Sequence, residues 1–398
     1  MPREYLKDCV VTDKYDVYSF AIKLMENPIE ESIDPNIQGK IAPPCWQVFI
    51  DIIHRCIKYE SDERPTMGEV ERRFPTLIEE LCHQYSLTDI RKATNNFDQK
   101  RVIGSGLFSK VYKGCLQHDG ASDYTVAIKR FDNQGREAFN KEIELLCQLR
   151  HPRCVSLIGF CNHQNEKILV YEYMSNGSLD KHLQDGELSW KKRLEICIGV
   201  ARGLHYLHTG AKRSIFHCIL GPSTILLDDH MEPKLAGFGV SVQGSRFMLK
   251  QKQINVDRVL GTWGYTTTDY VMDGTITAKW DAFSFGFLLL EVVCRGMFYL
   301  ISLTEKECLE NPVEEGLDPI IKGKIAPDCW QVFVDMMVTC LKYEPDERPT
   351  IGEVEVQLEH ALSMQEQADI TNSNSEYTLL SKTIISLGVK QFDTEKIL

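Results

Sequence analysis

One 45-residue block occurs twice in this chain, and that repeat limits what the chain can fold into. Residues 27–71, NPIEESIDPNIQGKIAPPCWQVF…RPTMGEVE, recur at 311–355 as NPVEEGLDPIIKGKIAPDCWQVF…RPTIGEVE, with 31 of the 45 positions identical. Upstream, KYDVYSF (14–20) matches KWDAFSF (279–285), at an offset 19 residues shorter than that of the main block. Two occurrences this far apart do not make a solenoid, which needs about three stacked units. The pattern reads as a duplication in which only the last part of a domain was copied. It divides the chain into a partial copy at 1–85, a complete domain at 86–362 and a tail at 363–398. The partial copy carries apolar helices without the helices they would pack against, so alone it would expose apolar surface. Three readings of it stay open: a weakly ordered remnant, a helical module docked on the main domain, or a partner-binding element. Its end, RRFPTLIEELCHQY (72–85), reads as a helix running into the linker.

The complete domain reads as strands followed by helices. RVIGSGLFSKVYKGCL (101–116) and YTVAIKRF (124–131) alternate around turn residues, and KILVYEYM (167–174) is again strand-like. GREAFNKEIELLCQLRH (135–151) has helical periodicity. After SNGSLD the pattern becomes helical at 189–208, 278–295, 328–342 and 350–364. A small β-rich part before a larger helical part predicts an α+β fold with two lobes, about 98–173 and 174–362. The tail opens with the polar run QEQADITNSNSEY and reads as mostly disordered. TLLSKTIISLGV within it has the pattern of either a short amphipathic element or a frayed end.

Composition narrows the function classes. The formal net charge of −12 argues against nucleic acid or anionic lipid as the main partner, because both demand basic surface. Fourteen cysteines are scattered singly, without C-x-x-C pairs or zinc-ligand spacing, which reads as reduced structural thiols and a cytoplasmic setting. The most apolar run, AFSFGFLLLEVVC (282–294), is short and interrupted by Glu291, so it predicts a buried helix rather than a membrane span.

The chemistry-bearing residues begin with IGSGLFSKVYKG (103–114) and VAIK (126–129). A tight glycine turn lets backbone N–H groups approach phosphates, a lysine on the next strand holds them, and Glu142 on the following helix could fix Lys129. The plainer alternative is a β-hairpin with a surface lysine. With LTDIRKATNNF, LRHPRCVSLIGFC, LVYEYMSNGSLDKHL and ARGLHYLHTGAKRSIFH, residues 86–362 resemble a protein kinase, in particular the plant receptor-like serine/threonine kinases of the FERONIA-like group. Residues 1–71 resemble the end of the same fold.

The resemblance implies ATP as the ligand, contacted by Ile103, Gly104, Ser105, Gly106, Val111, Ala127, Lys129 and Glu142, with Tyr171 as gatekeeper and Glu172 and Met174 in the hinge. Ser109 stands where the third loop glycine is usual. It also implies catalytic residues that are missing here. A working kinase reads H-R-D, an asparagine five residues after that aspartate, and D-F-G; this chain reads His217-Cys218-Ile219, Thr224 and Gly237-Phe238-Gly239. Ile219 cannot accept a proton, Thr224 and Gly237 replace the metal-holding asparagine and aspartate, and Gly221 stands where a lysine would neutralise the transferred group. Cys218 replaces the arginine that reads a phosphorylated activation loop. Asp228 and Asp229 read as turn acids rather than replacement ligands. No metal is expected, and ATP is expected to bind weakly and largely independently of magnesium.

The architectural positions, by contrast, are kept. His217 and Phe238 match core positions, Asp281 the aspartate that pins the catalytic-loop backbone, and GTWGY (261–265) the substrate-side turn. Asp269, preceded by Thr268 rather than proline, is expected to pair with Arg348. The resulting expectation is a pseudokinase scaffold whose partner is an active receptor-like kinase, located in the cytoplasm or, through that partner, at the plasma membrane. Two alternatives are a weakly active serine/threonine kinase with atypical metal handling and a non-functional product of a duplicated gene.

Overall fold

The computed structural model describes residues 51, 53–58, 63–65, 82–106, 108–116, 124–186, 188–211, 213–244, 254–255, 275–294, 312–372, 376–379 and 382–383. Compactness divides the chain into two units, Met1–Tyr124 with Ile128–Asn133 and Leu157–Val170, and Thr125–Ala127 with Gln134–Ser156 and Tyr171–Leu398.

The first unit is built on a six-stranded sheet, ordered β1-β5-β6-β4-β3-β2. Its strands are β1 (His83–Gln84), β2 (Val102–Gly106), β3 (Ser109–Leu116), β4 (Tyr124–Phe131), β5 (Leu157–His163) and β6 (Glu166–Glu172). Strand β1 corrects the expectation of a helix across 72–85. Residues 83–84 are a strand, with His83 opposite Gly159, and Tyr85 N donates to Phe160 O at 2.8 Å. An open strand edge offers unpaired backbone groups that outweigh weak helix propensity. A side chain at Gly159 would meet His83 O, so the absence of a Cβ there makes the close pairing possible. The 85/86 boundary therefore falls inside this unit, and the remainder of 72–81 lies outside the described residues.

Helix α1 (Leu87–Ala93) starts at Ser86, whose side chain accepts from Asp89 N at 3.1 Å. Asn95, Asn96 and Phe97 then take left-handed backbone conformations that swing Phe97 onto the sheet. There the Arg130 guanidinium lies 4.2 Å from the Phe97 ring centroid and grips Glu166 through both nitrogens, at 2.8 and 2.6 Å.

The partial copy is represented by a few residues. Ile53, Cys56 and Arg64 are buried, and Arg64 Nε donates to Lys58 O at 2.7 Å. Their repeat-mates in the second unit, Met337, Cys340 and Arg348, are buried too, and Arg348 Nε donates to Lys342 O at 2.8 Å.

The second unit is helical. It contains α2 (Arg136–Leu146), α3 (Leu179–Asp185), α4 (Trp190–His205, continued by a π turn to Gly210), α5 (Ala278–Cys294), α6 (Pro327–Cys340) and α7 (Ile351–Thr371). Short strand pairs join β7 (Ile215–Phe216) to β10 (Val242–Gln243) and β8 (Ile225–Leu227) to β9 (Pro233–Leu235). Strands β11 (Ile254–Asn255) and β12 (Thr275–Ile276) form a further pair. Helix α5 contains the apolar run and is buried nearly all round, Glu291 included. Trp190 meets Phe333 edge-on at 5.0 Å, and Gly286 lets α6 approach so closely that a Cβ would lie 2.8 Å from Leu341. Arg193 and Asp318 form an ion pair at 2.5 Å with no exposed surface on either side chain.

Helix α7 corrects the boundary at 362 and the disordered reading of the residues just after it. A Thr350–Glu353 capping box starts the helix, and it continues to Thr371 because Ala361 and Gln365 are still buried. Among the described residues, eleven cysteines are free thiols and only Cys115 is exposed. No described helix is long and apolar enough to cross a membrane.

Candidate functional site

In the first unit, β2 and β3 form a tight hairpin that pairs Gly104 with Val111, Ser105 with Lys110 and Gly106 with Ser109. A Cβ on Gly106 would lie 2.8 Å from Ser109 Oγ, so the serine that replaces the third glycine occupies the space beside the second. Ile103 is exposed and Val111 half-buried. Lys129 on β4 is half-buried, its ammonium 4.8 Å from the Phe131 ring centroid.

The second unit brings together most of the other singled-out positions. Asp281 on α5 is fully buried and accepts three hydrogen bonds: from His217 N at 2.8 Å, from Cys218 N at 3.0 Å and from His208 Nε2 at 2.7 Å. Burial pulls its carboxyl upward, but the His208 bond, the neighbouring histidines and the Cys218 N–H outweigh this and hold it below the ordinary aspartate value. His217 donates Nε2–H to Ala236 O at 2.9 Å and meets Phe238 edge-on at 5.4 Å. Burial pushes the His217 pKa down, so the ring is neutral. Cys218, at φ 66°, sits in an apolar cluster with Phe216, Val242, Ile276, Ala278 and Trp280. Burial and then Asp281 push its thiol well above the ordinary value, which leaves it inert.

One residue further on, the polar network stops. Thr224 Oγ1 lies 3.0 Å from the carbonyl oxygens of both Ile219 and Gly221 and accepts from Gly221 N at 3.1 Å. Its hydroxyl is thus turned into the loop's own backbone. Its methyl faces Gly237 instead: a Cβ built there would lie 3.1 Å from Thr224 Cγ2 and 4.0 Å from Ile219 Cγ2. Gly237 has φ 87°, a left-handed conformation that suits glycine. The three positions form one methyl-lined wall, and its one side-chain oxygen, Thr224 Oγ1, is turned into the loop backbone. Magnesium demands several oxygen ligands in near-octahedral array, so these residues do not fit it. Among the described residues no group of three or more acidic, histidine or cysteine side chains could hold a metal. Asp228 is committed to a turn, accepting from His230 N and Glu232 N at 2.9 Å, and Asp229 is exposed.

Helix α2 packs on the turn Phe238–Val240, where a Cβ on Gly239 would lie 2.9 Å from Glu142 Oε1 and 3.0 Å from Ala138 Cβ. Glu142 is buried and accepts the Tyr171 hydroxyl, whose pKa burial and then Glu142 raise well above the ordinary value. Glu172 is held at both oxygens, by Ser156 N and Lys234 Nζ, each at 2.7 Å. Met174 is buried, and Ala127 is half-buried on β4. Arg348 donates to the carbonyls of Lys342, Tyr343 and Lys279 and lies over Phe283, while Asp269 and 261–265 fall outside the described residues.

Sequence reasoning missed three of these contacts: the third donor on Asp281, the Tyr171–Glu142 bond and the Lys234–Glu172 pair. His208 was legible as a residue of GLHYLH, but its partner lies 73 positions away.

Comparison with known proteins identifies the family. The chain matches the family model described as protein tyrosine and serine/threonine kinase over residues 97–358. It is 42% identical over 306 residues to the receptor-like protein kinase ANXUR2 of Arabidopsis thaliana, covering 73% of this chain and 35% of the relative. It is 40% identical over 326 residues to the receptor-like protein kinase FERONIA of the same plant, covering 78% and 35%. The chain thus spans about a third of the length of these relatives.

Proposed function

The chain belongs to the plant receptor-like kinase family, and from that premise we propose that it is a pseudokinase, a kinase-shaped scaffold or regulator that does not transfer phosphate. The observation that carries this reading is the methyl-lined wall of Ile219, Thr224 and Gly237 beside an intact Asp281 network. Phosphoryl transfer is almost entirely positioning and electrostatic stabilisation, and this wall supplies neither a base nor a ligand for the metal. Cys218 in its apolar cluster supports a further point, that a phosphorylated activation loop finds no guanidinium to bind.

ATP, in this reading, binds weakly through the retained Gly104, Gly106, Ala127 and Lys129 and gains little from magnesium. The partner is a protein, an active kinase of the receptor-like type, which would bring the chain to the plasma membrane from the cytoplasm. The residues before β1 are read as a partial duplicate of the domain's end. The shared Arg64 and Arg348 contacts support this reading.

The test is a nucleotide titration followed by thermal shift, with and without magnesium. A ligand stabilises the fold only through its affinity for it. The proposal expects a small rise in melting temperature that is the same in both conditions. A large rise that requires magnesium would show ligands for the metal and would overturn it.

A further inference from the structure

Beyond α7, Tyr377 and Thr383 contact the segment 312–324. Asn372 Nδ2 donates to Glu376 O at 3.0 Å. Tyr377 N then donates to Gly323 O at 2.9 Å, and the Tyr377 hydroxyl donates to Asp369 Oδ1 at 2.8 Å. A second anchor follows: Val313 N donates to Thr383 O at 2.9 Å and Thr383 N to Glu314 Oε2 at 2.8 Å. Glu314 also accepts from Trp330 Nε1 at 2.9 Å.

The two anchors differ in kind. The one at Thr383 uses backbone groups and a carboxylate, so it is indifferent to the side chain. The one at Tyr377 depends on a phenol, and that phenol ends a hydrogen-bond chain reaching the core. Asp369 Oδ1 also accepts from Gln365 Nε2 at 2.9 Å, and buried Gln365 accepts from Trp190 Nε1 at 3.1 Å and Ala326 N at 2.9 Å. Partial burial and then Asp369 push the Tyr377 phenol up to about 12, so it is a neutral donor. Tyr377 is only half-buried, and Glu376 and Thr378 on either side are exposed.

We propose that Tyr377 is a phosphorylation site and that its modification releases the C-terminal residues 376–379 and 382–383 from the segment 312–324. A tyrosine-directed protein kinase would transfer the γ-phosphoryl group of ATP to Tyr377 Oη. The bond from that phosphorus to the bridging oxygen breaks, the Oη–phosphorus bond forms, the phenolic proton passes to the enzyme's base, and ADP leaves. A neutral donor thereby becomes a group carrying about −1.5 to −2 charges at pH 7, set against the Asp369 carboxylate. The hydrogen bond is lost and two like charges meet, which uncovers Gly323 O and the Glu314 anchor.

The experiment uses the full chain and a tyrosine kinase selected for activity on a peptide of residues 370–383. Modification is mapped by mass spectrometry, and backbone protection of 312–324 and 376–383 is followed by hydrogen exchange. The expected result is phosphate on Tyr377 and at least a tenfold loss of protection at the amides of Tyr377, Thr383 and Val313. In an Asp369→Asn chain the same modification should cost less protection, since the like charge is gone. The unphosphorylated Tyr377→Phe chain should keep Val313 and Thr383 protected. A phosphorylated chain with unchanged protection would overturn the proposal, as would a folded chain left unmodified while the peptide is phosphorylated.

Discussion

Two regions that touch in sequence behave oppositely. At His217 and Cys218 each backbone N–H has a buried carboxylate oxygen as its partner, and a histidine from α4's π turn completes the set. At Ile219, Thr224 and Gly237 the surface is methyl and backbone, and the one hydroxyl present is spent on the loop itself. The contrast teaches which constraints bind. Losing an acceptor on the first side leaves buried donors unpaired, while the methyl groups of the second side make no such demand. Packing therefore demands different things of the two sides.

The sharpest way to break that comparison is to mutate both sides. Asp281→Ala should cost about 3–5 kcal/mol, because it strands three buried donors. Ile219→Ala, at a half-buried position, should cost roughly 1 kcal/mol. Urea denaturation of the two variants compares them directly, and equal losses would erase the distinction.

Reversal of the second side comes next in size. Placing Asp at Gly237 puts a side chain at φ 87° and 3.1 Å from the Thr224 methyl, so Gly237→Asp should lower stability by about 1–2 kcal/mol. Combining it with Thr224→Asn, which removes that methyl, should recover part of the loss. A strictly additive double variant in denaturant would count against the wall being one packed unit.

The partial copy sharpens the account from another direction. A chain beginning at residue 82 should keep its cooperative melt, while one beginning at residue 86 loses the β1 pairing and the Tyr85–Tyr124 hydroxyl contact, at a cost of about 1–2 kcal/mol. If the first truncation already abolishes the melt, residues 1–81 are structural.

The smallest expected effect is on pH. His217 and His151 have pKa values lowered chiefly by burial, so the unfolded chain binds more protons than the folded one below about pH 6.5. Stability should therefore fall as pH drops below that value. Asp281, lowered in the fold, gives stability that is present above the unfolded aspartate value and lost as pH falls through its folded one. His217→Gln should flatten only the upper part of the curve; an unchanged slope between pH 6.5 and 5 would show that His217 is not the neutral buried ring described here.

Much of this was legible in sequence, and the reasons are physical. Alternation and periodicity gave β4 at Tyr124–Phe131 and α5 within a residue, because both are long elements with consistent burial. That 219, 224 and 237 carry no carboxylate or carboxamide is plain from residue identity alone. Strand β1 was not, since two residues at a sheet edge are fixed by their partner strand and have no pattern of their own. The extension of α7 to Thr371 was hidden by its polar run, in which a single buried Gln365 carries the packing. The turning of Thr224's hydroxyl into the backbone is a choice of rotamer, which sequence does not record.

The most direct test of the central claim is radiolabelled phosphate transfer from ATP with magnesium to a generic substrate. Wild type, Ile219→Asp alone, and the triple variant Ile219→Asp, Thr224→Asn, Gly237→Asp would be compared at equal folded concentration. Groups that act as a unit are strongly non-additive, so the wild type and the single variant should both stay at background, with any transfer confined to the triple variant. Transfer above background by the wild type or by Ile219→Asp alone would mean that the metal is held by ligands outside this wall, and the account would be wrong.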